Sequence, residues 1–192
     1  MDNPISRIVE PIARWVAIVC GWGVLALSIA ITIEILGRKL FAFSFHGIDD
    51  IGGYVLAITA TVGASYTMAM RGHTRVDVFL VRMPDGLQRL LNLLAMAGLA
   101  LFALFAAWRG SVVLMETIEF KSVATNPLQT PLWQPQSLWL AGIVLFAAIA
   151  FVYAAHALVL YVRGSPQLNR LYGPMSAVDE LEAELKARTE GR

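Results

Sequence analysis

Charge is the scarce ingredient of this 192-residue sequence, with Asp, Glu, Lys and Arg together making up 15% against about 25% in ordinary soluble domains. The net charge is only +1, so the chain carries no positive field with which to hold nucleic acid. A single cysteine, Cys20, excludes an internal disulfide, a CxxC redox pair and a thiolate zinc site. Histidine is nearly as rare. Of the three, His46 and His73 fall in connecting segments and only His156 lies in an apolar stretch, whereas a haem held between helices wants two axial ligands at matching depth. No GxSxG, HExxH, P-loop or GxGxxG pattern occurs, so hydrolytic and nucleotide-driven chemistry lack their usual machinery. The expectation is a chain with no catalytic activity, no metal and no cofactor.

What the sequence has instead is apolar length. Hydrophobic residues make up 57%, and four windows contain no charged residue at all: Trp15–Ile33, Ile51–Met70, Leu90–Trp108 and Leu138–Val162. The 29 charges fall in the other 109 residues, about the density of a water-facing sequence. At 1.5 Å rise per residue each window reaches about 28 to 38 Å as a helix, enough for a hydrocarbon core of roughly 30 Å. Barrel strands would instead be short and alternate in polarity. The first window is too long for a cleavable signal, and no small-residue cleavage site follows it. The fold class expected is therefore an all-α integral membrane protein with four transmembrane helices, spanning about 15–36, 51–70, 87–108 and 138–162. These form one domain over 1–165, followed by a tail over 166–192 that is partly helical or disordered.

Basic residues set the expected orientation. Eleven lie in the leader, the second loop and the tail, against Arg38, Lys39, Arg109 and Lys121 on the other face, which places both termini in the cytoplasm. Trp15, Trp108, Trp133 and Trp139 sit near span ends, where an amphipathic ring suits the headgroup region. In the second loop, Thr74 and Asp77 resemble a capping box, Val76, Phe79, Leu80 and Met83 recur at helical spacing, and Pro84-Asp85-Gly86 ends the pattern. That predicts a short interfacial helix between the second and third spans, with Arg75 and Arg82 reaching toward lipid phosphates. The run from Arg109 to Lys121 keeps helical character, so the third helix is expected to project beyond the bilayer. Pro127, Pro131 and Pro135 then predict an extended, stiff connection through Asn126–Gln136. It is open between a docking element for a periplasmic partner and a plain turn. In the tail, Ser176 and Asp179 begin a charge-alternating stretch that suits a solvated helix or a frayed end.

Few polar residues enter the spans. His156 is expected to stay neutral and to hydrogen-bond Tyr153, three residues earlier, or a partner helix. Glu34 and Arg38 have the order and spacing of an i,i+4 ion pair at the interface. Asp49 and Asp50, just before the second span, offset the positive end of its dipole. The small residues carry a clearer pattern. Gly53, Ala57, Ala60, Ala64 and Thr67 follow a 4,3,4,3 spacing and line one stripe of the second helix; Ala147, Ala150, Ala154 and Ala157 repeat the idea on the fourth. Helices in lipid associate through close backbone approach, which small residues permit. Two arrangements are open: the stripes meet each other inside the chain, or one of them meets a partner helix.

A self-sufficient secondary transporter pairs two repeats and breaks helices at the midplane to bind substrate. Here no halves repeat, no span is broken by proline and no span holds a charge at its centre. The chain reads as a supporting subunit. Two other classes remain beside it, a membrane anchor for a respiratory redox complex and a small dimeric exporter using Glu34.

Several runs resemble one family. Asp50 just before the second span, Arg71-Gly72-His73-Thr74-Arg75-Val76-Asp77 after it, Met83-Pro84 beyond, and Leu128-Gln129-Thr130-Pro131-Leu132-Trp133-Gln134-Pro135-Gln136-Ser137 before the fourth span are similar to the small permease subunit of tripartite ATP-independent periplasmic (TRAP) transporters. The likeness covers about residues 10–165, and its most specific part is the His-x-Arg-Val-Asp run. The resemblance implies a bacterial or archaeal inner-membrane complex with two partners, a large many-spanning permease that carries substrate and sodium, and a soluble periplasmic protein that delivers an organic anion. It further implies a scaffold role for the small subunit. Asp50, Arg71, His73, Arg75 and Asp77 would be structural anchors around the second helix, with no substrate contact.

Overall fold

The computed structural model describes residues 6–41, 47–70, 80, 82–125 and 129–173. Among them the regular structure is helical: α1 (Ser6–Phe41), α2 (Ile48–Ala69), α3 (Asp85–Glu119), α4 (Trp133–Val162) and the short α5 (Gln167–Tyr172). The first four are long and apolar enough to cross a membrane. Their surfaces agree with that solvent. Trp15, Trp22, Leu101, Phe102, Phe105 and Val162 are each more than half exposed. Keeping such side chains in water forfeits about 1.5 to 3 kcal/mol apiece, a cost that lipid removes. The buried share of the most apolar window rises from 6% in α1 to 39% in α4, so α4 is the most enclosed of the four and α1 meets its surroundings on nearly every side.

Two compact units divide the chain. The first lies within residues 2–73 and 99–152. In it α1 and α2 pack together. The buried residues of α1, Ala13, Leu27 and Glu34, fall at multiples of seven, a single seam along an otherwise apolar-out helix. The Leu27 side chain reaches to within 3.8 Å of where a Cβ on Gly52 would stand. Glycine permits two closer approaches. A Cβ on Gly142 would overlap the Thr61 hydroxyl and stand 2.9 Å from the Thr61 Cβ, while one on Gly110 would stand 2.9 Å from the Leu140 Cδ1. These positions bring α4 against α2 and α3 against α4, as small residues do where lipid supplies little drive for association.

Helix α3 continues to Glu119, beyond the charge-free window, as its pattern predicts. It ends in a Schellman motif: Ser122 N–H donates to Thr117 O at 3.0 Å and Lys121 N–H to Ile118 O at 3.2 Å, with Lys121 left-handed at φ 47. The connection that follows is more folded than expected. Val123 and Pro131 form an isolated antiparallel bridge, with Ala124 N–H donating to Thr130 O and Leu132 N–H to Ser122 O. Helix α4 begins at Trp133, so Pro135 lies in its first turn. A missing N–H costs nothing there, because the first helical N–H groups have no intrahelical acceptor. The extended connection expected over Asn126–Gln136 is therefore corrected at its C-terminal end. Likewise, α2 begins at Ile48, which puts Asp49 and Asp50 inside its first turn, still at the positive end of the dipole.

The second unit lies within residues 74–98 and 153–192. Helix α4 ends in another Schellman motif, Ser165 N–H to Leu160 O at 3.0 Å and Gly164 N–H to Tyr161 O at 2.9 Å, with Gly164 at φ 62. The turn sends α5 back along the chain. Leu168 and Tyr172 of α5 are buried, so residues 167–172, at the start of the stretch expected to be a partly helical or disordered tail, form a helix packed against α3 and α4. Asn92 of α3, 2% exposed, donates from Nδ2 to Asn169 Oδ1 at 3.1 Å, and Asn169 Nδ2 donates to Asp85 O at 3.2 Å. Of the expected interfacial helix between α2 and α3, Leu80 is helical and Met83 N–H donates to Leu80 O at 3.1 Å; its residues 74–79 and 81, and the tail from Ser176, lie outside the described residues.

Candidate functional site: the outward face of the second helix

Helix α2 has two unlike faces. Its buried residues include Gly52, Val62, Ser65 and Ala69. At about 3.6 residues per turn, Gly53 stands two and a half turns from Val62, and Ala60 two and a half turns from Ala69, so the small-residue stripe lies opposite the buried line. Accordingly Gly53, Ala57 and Ala60 are exposed, and Ala64 and Thr67 half-buried. No atom lies within 4 Å of where a Cβ on Gly53 would stand. The stripe of α4 is placed differently: Ala147, Ala150 and Ala157 are buried and Ala154 half-buried. The stripes therefore do not both serve the inside of the chain.

The outward face of α2 is smooth and chemically quiet. Thr67 Oγ1 donates to Gly63 O at 2.8 Å, which keeps its hydroxyl satisfied within its own helix. A stripe of this kind offers close backbone approach over about four turns, and it offers no nucleophile, acid or base. Its chemistry is packing.

Two polar residues near span ends have partners within the chain. Glu34 is paired with Arg38, as the spacing predicts, but its side chain is only 3% exposed while that of Arg38 is 58% exposed. The carboxylate is thus turned inward and the guanidinium outward, and losing Arg38 would remove the neutralising charge from a buried acid. His156 Nδ1 lies 2.7 Å from the Tyr172 hydroxyl, and Tyr172 meets Tyr153 edge-on, centroids 6.0 Å apart. The partner of His156 is thus a residue of α5 in the same chain, with Tyr153 one ring further on. Asp50 is half-buried in the first turn of α2, whereas Arg71, His73, Arg75 and Asp77 lie outside the described residues. Sequence reasoning passed over Asn92 and Gly142. Each carried a signal, a side-chain amide inside a charge-free window and a glycine in mid-span with no turn to make.

The family model for the DctQ component of tripartite ATP-independent periplasmic transporters matches residues 27–160, from within α1 almost to the end of α4. The chain belongs to the DctQ family. No curated protein and no solved structure matches it. DctQ proteins are components of a transporter and not an enzyme family. This DctQ chain is accordingly a small multi-pass membrane subunit of a TRAP transporter, and the resemblance carried by Asp50, the His73 run and the Leu128–Ser137 segment is met by the family match.

Proposed function

We propose that this DctQ chain is the stator of its transporter, a rigid membrane-fixed scaffold that holds a large many-spanning permease while that permease carries solute. The observation that carries this reading is the contrast between the stripes: on α4 Ala147, Ala150 and Ala157 are buried and Ala154 half-buried, whereas on α2 Gly53, Ala57 and Ala60 are exposed and Ala64 and Thr67 half-buried. A moving permease needs a partner that resists tilting, and small-residue packing with arginines at the membrane surface supplies such resistance. In this reading the permease imports an organic acid or related solute handed over by a periplasmic binding protein and driven by a sodium gradient. Residues 1–165 are the transmembrane domain and 166–192 a cytoplasmic tail, with both termini on the cytoplasmic side of the bacterial inner membrane, as the excess of basic residues favours. Arg71, His73, Arg75 and Asp77 brace the cytoplasmic end of α2, and Asp50 its other end.

The test is co-purification from detergent extracts. The wild-type chain should bring with it a much larger membrane protein, and Ala57→Leu with Ala60→Leu should weaken that association while leaving the thermal unfolding of the isolated chain unchanged. A chain that runs alone, or an association indifferent to both changes, removes the stator reading. Orientation is checked separately: a periplasm-active reporter should be active after Gln129 and silent after Gln88.

A further inference from the structure

Helix α1 carries two seven-residue lines on opposite sides. On the inner one Ala13, Leu27 and Glu34 are buried and Cys20 half-buried, and Leu27 meets α2 at Gly52. On the outer one Trp15, Trp22, Ile29 and Leu36 recur every seven residues, with Ile18, Leu25 and Thr32 between them, and all are exposed. In heptad terms the outer residues hold positions a and d and the inner ones position f, which faces directly away from them. The outer seam is about 32 Å long, close to the thickness of a hydrocarbon core. Lipid alone suits its aliphatic members, but it does not suit Trp22. Tryptophan belongs at the headgroup level, where its N–H finds water, and Trp15 beside Arg14 has that place. Trp22 lies about 3 Å along the axis from the middle of the charge-free window. It is 67% exposed, and its N–H has no hydrogen-bond partner among the described residues. A donor left bare in hydrocarbon is costly, and an oxygen on a neighbouring helix removes that cost.

A second copy of this chain fits the seam. Copies inserted in one orientation meet with α1 parallel, and a two-fold axis along the membrane normal sets each layer against its equal, Trp22 on Trp22 and Leu25 on Leu25, as in a parallel coiled coil. Thr32 is the one polar layer. Its hydroxyl donates to Ser28 O at 2.8 Å, so its lone pairs remain open outward, and in the pair one hydroxyl can turn to the other's oxygen. A shift of register loses that bond. The exposed part of the seam amounts to on the order of 800 Å² per copy, about what one partner gives to a standard-size interface. We propose that the chain forms a parallel homodimer through this face of α1, with Trp22 in its central layers and Thr32 as its polar layer. An ideal helix drifts about 20° per heptad, so the two α1 helices cross at about 20° in the left-handed sense of most membrane bundles. The dimer uses neither α2 nor its stripe and does not rest on the stator reading.

Disulfide trapping of the full-length chain in native membranes tests it. In a Cys20→Ala background, single cysteines are placed on the seam by Leu25→Cys or Ile29→Cys, and off it by Gly23→Cys, where an added Cβ meets nothing within 4 Å. Brief oxidation should give about tenfold more dimer at either seam position than at Gly23→Cys, because only there do equivalent Cα atoms come within disulfide reach. Energy transfer between labelled copies in lipid vesicles gives a second measure. Thr32→Val should weaken association about threefold, the average strength of one hydrogen bond between membrane helices, and Ala57→Leu with Ala60→Leu should leave it unchanged. Equal trapping at all three positions overturns the proposal, since it would report random collision. So does a seam that yields no dimer, or whose cysteines join a larger membrane protein instead, and so does a Thr32→Val chain that associates like the wild type.

Discussion

Replacing Gly142 by Ala adds one methyl group at the point where α4 crosses α2, and the structure fixes what that methyl would meet. It would overlap the Thr61 hydroxyl, approach the Thr61 Cβ to 2.9 Å and stand 3.5 Å from the Val62 nitrogen. Carbon pairs are comfortable at about 3.5 to 4.0 Å, so something must give by several tenths of an ångström or more. Thr61 is poorly placed to yield: it is β-branched and stiff at χ1, and its hydroxyl is bonded to Ile58 O at 2.9 Å. The helices must then part, and a gap of about 0.5 to 1 Å forfeits a quarter to a half of each dispersion contact along the seam. We expect a loss of about 1 to 3 kcal/mol, a factor of roughly 5 to 150 in the folded population. The assay is reversible unfolding in mixed micelles with rising denaturing detergent, followed by tryptophan fluorescence. Gly53→Ala is the control, since an added Cβ there meets nothing within 4 Å and alanine is the better helix former; it should unfold at the same detergent fraction as the wild type or slightly later. Thr61→Ala should recover much of the loss when combined with Gly142→Ala, so that the pair is less damaging than the sum of its singles. If Gly142→Ala unfolds together with Gly53→Ala, α2 and α4 do not meet in this way and the packing account fails.

Two further outcomes follow from the helix ends and the buried amide. The Schellman motifs after α3 and α4 place Lys121 and Gly164 in the same left-handed conformation, so Lys121→Gly should stabilise and Gly164→Ala destabilise the chain, each by about 1 kcal/mol in the same unfolding assay. Opposite signs are the essential result. Asn92→Ala removes the donor to Asn169 at a buried site and should cost about 0.6 kcal/mol, the average for side-chain hydrogen bonds between membrane helices, and at most about 1.7 kcal/mol. Hydrogen exchange read on residues 167–172 should then rise selectively; unchanged protection of α5 would mean that the amide pair does not hold it.

Much of the architecture was legible because lipid imposes a one-dimensional rule. A stretch that must lie in hydrocarbon cannot carry charge, so the four windows without Asp, Glu, Lys or Arg mark four helices by composition alone. The Glu34–Arg38 pair was legible for a similar reason, since i and i+4 are neighbours on any helix. The small-residue stripes could be placed on their helices by spacing alone. Helix caps were less visible: the Schellman end at Lys121 has a lysine where glycine is usual, and Pro135 has the look of a breaker although it lies in a first turn, where its missing N–H is harmless.

The amino-acid sequence by itself determined the solvent, the number of long helices and the absence of charge from their apolar windows, because each follows from local composition and helical period. Only the tertiary structure decided which stripe is used inside. That depends on the rotation of α2 and α4 about their own axes, a quantity set by long-range packing such as Gly142 against Thr61 and invisible to spacing. The same holds for His156, whose partner Tyr172 is sixteen residues away and comes within reach only because Gly164 turns the chain back. What periodicity offered as two equivalent stripes became one inner seam on α4 and one outward face on α2, since lipid accepts small residues on either side and only the packed neighbours distinguish them.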